Sequence, residues 1–215
     1  IEAAGGKALA IKMNVLEEDE VAAALAQAAD HFGGIDILVN NASAISLTPT
    51  EMTKMKRYDL MHGINTRGTY MTSKLAIPYL KKSDSAHVLT LSPPLDMQAK
   101  WFAPHVAYTM SKFGMSMVTL GMAQEFADDN ICFNALWPQT TVATAAVNNL
   151  LGGDELMKMS RTPEVVADAA CEIFKTRETG NFFIDETVLR KAGVTDFEKY
   201  SVTPGVEPFK DLFVE

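Results

Sequence analysis

The chain has 215 residues, 47% of them hydrophobic, and a formal net charge of −8 with a pI near 5.0. That length supplies one sizeable core but not two comfortable α/β domains, so residues 1–215 are read as a single domain. The acidic balance argues against a nucleic-acid partner, and no apolar run reaches membrane-spanning length. The two cysteines, without a C-x-x-C pair, suit a reducing, cytoplasmic setting.

Taken in chain order, Ala8 to Met13 reads as a short strand. Glu17, Glu18, Asp19 and Glu20 crowd the first turn of a helix that carries Val21, Leu25, Ala28 and Phe32 at helical spacing and stops at Gly33. Ile35 to Val39 is almost continuously apolar, as expected of a parallel strand covered on both faces. A long helix is expected from near Asp59 to Leu80, with Pro78 bending or ending it. His87 to Leu91 is the next strand, Ala107 to Phe126 a second long helix, and Ile131 to Leu136 a further strand. Thr162-Pro163-Glu164 opens another helix, with Thr as N-cap and Pro at the first helical position. Asn181 to Ile184 is the last strand. This alternation predicts right-handed crossovers and a doubly wound parallel α/β sheet.

The chemistry-bearing feature is Tyr108 and Lys112, one helical turn apart and so on one helix face. A phenol titrates near ~10 in water, and a fixed cation close by favours its charged form. Such a pair can therefore do acid–base work at neutral pH. Two amides, Asn40 and Asn41, end the strand at Ile35–Val39, and Ser92 follows the strand at His87–Leu91. Asn65-Thr66-Arg67-Gly68 lies in the long helical stretch, and Asn134-Ala135-Leu136-Trp137-Pro138 closes a strand. His31, His62 and His87 show no mutual metal-ligand spacing, so no metal site is expected.

The order and spacing of these segments resemble the short-chain dehydrogenase/reductase superfamily across nearly the whole chain. Asn40 to Leu47, Asn65 to Tyr70, Ile77 to Ser83, Ser92 to Leu95 and Thr179 to Glu186 are most similar to its hydroxysteroid dehydrogenase-like, type two, branch. The resemblance implies a Rossmann-type fold and an oxidoreductase that uses NADP or NAD to interconvert an alcohol and a ketone on a small or lipid-like apolar substrate. The alternative is a catalytically weak or inactive member acting as an interaction or lipid-sensing module. It also implies a homodimer or homotetramer formed through the two long helices.

By the same resemblance, Tyr108 is the general acid/base, and Lys112 lowers its pKa and holds the nicotinamide ribose. Asn65 anchors a proton-relaying water, and Ser92 is the candidate substrate-polarising hydroxyl. Asn40, Asn41 and Ala42 pack along the adenosine side of the cofactor, and Asn14 and Val15 stand where the family usually has Asp-Val against the adenine. Pro138, Val142 and Thr144 flank the nicotinamide amide and the phosphates. The family's Pro-Gly is Pro138-Gln139 here, and Pro93 stands at the second position of its Ser-Ser pair. No Gly-x-x-x-Gly-x-Gly occurs. The resemblance puts Ile1 to Lys7 at the end of the second crossover helix, so the first βαβ segment, about 50–60 residues, is expected to be missing. Without that glycine-rich βα unit the chain is expected to bind NAD(P)H weakly.

Overall fold

A computed structural model describes residues 1–215. Four apolar runs form one parallel sheet: β1 (Ile37–Asn40), β2 (His87–Leu91), β3 (Cys132–Trp137) and β4 (Phe182–Ile184), in the spatial order β1-β2-β3-β4. Val39 pairs with Leu89, Leu89 with Asn134, and Ala135 with Phe182. The helices are α1 (Glu18–Phe32), α2 (Met55–His62), α3 (Thr69–Leu80), α4 (Ala99–Phe102), α5 (Val106–Glu125), α6 (Gly153–Lys158), α7 (Glu164–Phe174) and α8 (Asp185–Lys191).

Side-chain alternation in β2 and β3 splits the core into two layers. Val88 and Phe133 turn to one face, against Ala76, Ile77 and Leu80 of α3 and Met122 and Ala123 of α5, with Leu25 of α1 at the margin. Leu89 and Leu136 turn to the other, against Val165, Ala169 and Ile173 of α7 and Leu189 of α8. Helices thus cover both faces, and the expected doubly wound α/β sheet is the fold observed.

Local signals explain where the elements stop. Gly33 takes a left-handed φ of 89° and donates its N–H to the Ala29 carbonyl, closing α1 behind its acidic first turn. The long helix expected from Asp59 begins earlier, at Met55, and is interrupted by a π turn over Gly63–Gly68 before α3 carries it to Leu80. Pro78 stands inside the last turn of α3, two residues before its end. Thr162 does not cap α7 with its hydroxyl; its backbone carbonyl accepts from Val165 N–H, and its own N–H is used by the Tyr200 carbonyl.

One expected strand is not formed. Residues 8–13 are extended but make no backbone hydrogen bond, because no strand lies beside them. Between them and β1 runs a gap of about 290 Å³, walled by Leu9, Ile11 and Met13 on one side and Leu38 and Val39 on the other. The free edge of β1 leaves Ile37 and Val39 42% and 47% exposed. A ladder hydrogen bond protects an amide and a bare extended segment does not. Amides of residues 8–13 are therefore expected to exchange with solvent orders of magnitude faster than those of β2 and β3 at pH 7. Comparable protection in a hydrogen-exchange experiment would mean that residues 8–13 are paired in solution.

Candidate active site

The carboxyl ends of β1, β2 and β3 point to the same edge of the sheet, and α5 crosses that edge with Tyr108 and Lys112 in its first turns. Both side chains are almost fully buried, at 4% exposure each. Lys112 Nζ donates to the Leu91 carbonyl at the end of β2, at 2.9 Å, and stands 5.1 Å above the Trp137 ring at the end of β3. Backbone carbonyl and ring face hold the ammonium where water is excluded.

The π turn positions α5. Asn65 within it is wholly buried, and its Nδ2 donates to Ser111 Oγ and to the Ala44 carbonyl, both at 2.9 Å. Its Oδ1 accepts from Ala44 N–H at 2.7 Å, so one amide staples the loop after β1 to α5. Thr66 Oγ1 donates to the Ser111 carbonyl at 3.0 Å. The approach is so close that a Cβ on Gly114 would lie 2.4 Å from Thr66 Oγ1.

A strap over residues 209–215 lies across the dyad. Phe209 N–H donates to the Met159 carbonyl, Thr141 N–H to the Phe209 carbonyl, and Asp211 N–H to the Gln139 carbonyl. Trp137 Nε1 donates to the Leu212 carbonyl at 2.7 Å. Phe213 then packs among Trp101, His105, Tyr108, Phe113 and Trp137, with centroid separations of 5.5–6.3 Å. Beneath the strap is a largely apolar cavity of about 640 Å³.

Burial dominates the electrostatics. It holds the Tyr108 phenol above its ordinary range, and the nearby Asp211 charge pushes the same way. This is opposite to the direction expected from the Tyr–Lys spacing alone, because desolvation and the Asp211 charge both disfavour the phenolate. Burial also lowers Lys112 to about 8, against the pull of Asp211, and raises Asp211 to about 6.

The short chain dehydrogenase family profile matches residues 1–153. The chain belongs to the short-chain dehydrogenase family. Over its full length it is 54% identical to hydroxysteroid dehydrogenase-like protein 2 of Xenopus laevis and 51% identical to the human protein of that name. It spans about half the length of these curated relatives, 52% and 51%. A short chain dehydrogenase from Mycobacterium thermoresistibile superposes with a TM-score of 0.93 at 51% identity, over all of this chain and 77% of that one. A short-chain dehydrogenase/reductase from Serratia marcescens gives 0.72 at 27% identity, over 85% of this chain and 76% of that one.

The fold brings six of the residues expected from the family resemblance to the large cavity: Asn41, Tyr108, Lys112, Pro138, Val142 and Thr144. Val15, Asn40 and Ala42, with Asn41 shared, line the smaller gap beside β1. Asn40 also ties β1 inward, donating to Ser73 Oγ at 3.0 Å. Asn14 lines neither, and its side chain closes a local turn onto Leu16 N–H. Asn65 sits behind the helix as a staple. Ser92 is wholly buried, stands outside the cavity wall and leaves its Oγ without a partner. The carbonyl of the following Pro93 accepts from Ser116 Oγ at 2.6 Å. His105 lies under the strap, sharing a hydrogen bond between Nδ1 and Thr109 Oγ1 at 3.0 Å.

Asp211, Phe213 and Asp185 escaped sequence reasoning. Asp185 is buried, and its Oδ1 accepts from Gln139 N–H at 2.8 Å, fixing the Pro138-Gln139 loop that departs from the family's Pro-Gly. The one available signal for Asp211 was a charged pair, Lys210-Asp211, set between the apolar Phe209 and Leu212 to Val214, which carries no motif.

The buried lysine has a thermodynamic signature. Below pH 8 it is charged in both folded and unfolded chains, so its full desolvation cost bears on the fold. Between pH 8 and about 10.5 the folded chain sheds the proton first, the unfolded state binds more protons, and stability rises with pH. Lys112→Met should raise stability at pH 7 by on the order of 1–3 kcal/mol and abolish that rise, the loss of a partner for Asp211 offsetting part of the gain. Calorimetric melting at pH 7 and pH 10 checks both parts.

Proposed function

We propose that this protein is an NAD(P)-dependent oxidoreductase that interconverts an alcohol and a ketone on a small or lipid-like apolar substrate. The observation that carries the reading is the placement of Tyr108 and Lys112, buried one turn apart on α5, at the wall of an apolar cavity at the carboxyl edge of a parallel sheet. Family membership supports the reaction class.

The residues at this edge fit the nicotinamide–ribose end of such a cofactor. Lys112 presents a fixed ammonium at the cavity wall, and Asn41, Pro138, Val142 and Thr144 supply the surrounding surface. The bound cofactor supplies the hydride acceptor or donor. Tyr108 gives its phenolic proton to the substrate oxygen in reduction and takes it back in oxidation. A phenol kept protonated by burial is ready for the reductive direction at neutral pH. Lys112 orients the ribose hydroxyls and stabilises the phenolate left behind. The apolar lining and the strap exclude water. NAD and NADP are equally compatible with the residues named.

A weakly active or inactive relative is the second reading, favoured by the position of Ser92. Its hydroxyl is buried away from the cavity, and loss of such a donor costs on the order of 10²–10³ in rate. Substitution separates the two. Tyr108→Phe should abolish turnover while cofactor binding stays within about threefold, because only the proton is removed. Turnover retained by this variant, on a substrate that the wild type converts, would sink the mechanism.

Assembly belongs to the same reading. Tyr70 on α3 and Met110, Met117 and Leu120 on α5 are 44–53% exposed, an apolar set larger than a helix surface facing water needs. A homodimer or homotetramer through α3 and α5 is expected, and light scattering should return at least twice the monomer mass.

A further inference from the structure

The strap brings a carboxylate into an otherwise apolar site. Asp211 lines the cavity together with Tyr108 and Lys112. Its N–H is fixed by the Gln139 carbonyl at 3.2 Å, and its Oδ1 accepts from Leu212 N–H at 2.6 Å. Oδ2 takes no hydrogen bond from the protein. Asp211 and Lys112 feel each other's charge, yet no ion pair closes between them. A free acceptor on the strap and a cation on α5 thus face a common space. Asp211 is half-buried, and burial raises its carboxyl to about 6 with no ion pair in return.

We propose that Asp211 is a specificity-determining residue, selecting neutral substrates that carry a second hydroxyl beyond the reacting oxygen and rejecting carboxylates. The inference rests on the oxidoreductase reading of the site and names its substrate class. A hydroxyl suits the space because it can donate to Oδ2 without bringing a charge of its own. A carboxylate in the same place can only accept, and it meets a like charge. Tyr108 is left free for the reacting oxygen.

An isosteric ligand pair tests this without cofactor or turnover, so failure of the oxidoreductase reading and failure of the inference are distinguishable. The probes are 1-phenylpropane-1,3-diol and 3-hydroxy-3-phenylpropanoate, which differ only in CH₂OH against CO₂⁻. In calorimetric titrations at pH 7.5 the diol should bind about tenfold or more tighter. In Asp211→Asn, which keeps the acceptor for Leu212 N–H, the preference should fall to within about threefold or reverse, because Lys112 and Lys210 then favour the anion.

Acidification is the second arm and needs no variant. The charged and titratable groups facing the carboxyl are Lys112 and Tyr108 from α5 and Lys210 on the strap. Among the groups lining the cavity, Lys112 titrates near 8 and Tyr108 above its ordinary range, so Asp211, near 6, is the one that loses charge between pH 7.5 and pH 5. Asp185, also near 6, lies behind Gln139 outside the cavity wall and titrates equally in Asp211→Asn, which serves as its control. The wild-type preference should shrink over that interval. Equal binding of the two probes by the wild type, an unchanged preference in Asp211→Asn, or binding of neither probe at millimolar concentration would each overturn the proposal.

Discussion

A lysine ammonium removed from water is the constraint around which this molecule is arranged. An unpaired buried cation costs several kcal/mol, and the chain meets that cost from three directions. The end of β2 offers the Leu91 carbonyl, the end of β3 offers the Trp137 face, and the strap offers the Asp211 charge. Each group depends on a different long-range contact, so sheet, helix and strap must all be in register before the charge is tolerated. The lowered pKa of Lys112 shows that the compensation is incomplete. A fold optimised for stability alone would place an apolar side chain there.

The π turn does the corresponding work for helix placement. An extra residue in the turn lets Asn65 reach both Ala44 and Ser111, and Gly114 lets α5 close against Thr66. Three sequence-distant segments are locked by one amide and one absent methyl group. Loosening either would move Tyr108 and Lys112 together, because they ride on the same helix.

What the sequence made legible was local. Tyr108 and Lys112 are recognisable because i,i+4 spacing fixes their common face whatever surrounds them. The four paired strands and the helices α1, α3, α5 and α7 follow from periodicity and punctuation such as Gly33, whereas the π turn and the short helices α4, α6 and α8 do not. Residues 8–13 were misread because strand propensity says nothing about whether a pairing partner lies alongside. The Tyr108 pKa ran opposite to expectation because desolvation is a property of the packed site, not of spacing. Asp211 and Phe213 were invisible for a related reason. They act only after the chain has returned across the sheet to lie on a helix about a hundred residues earlier, and no short-range pattern encodes that return.

Phe213 holds a left-handed backbone, φ 68°, which a bulky side chain seldom adopts, and the surrounding rings over-determine it. Both tryptophans of the chain touch this strap, Trp101 through its ring and Trp137 through its indole N–H. The molecule therefore carries a built-in optical reporter. Its indole emission, excited beyond the tyrosine band, comes from the two side chains that register whether the strap is seated.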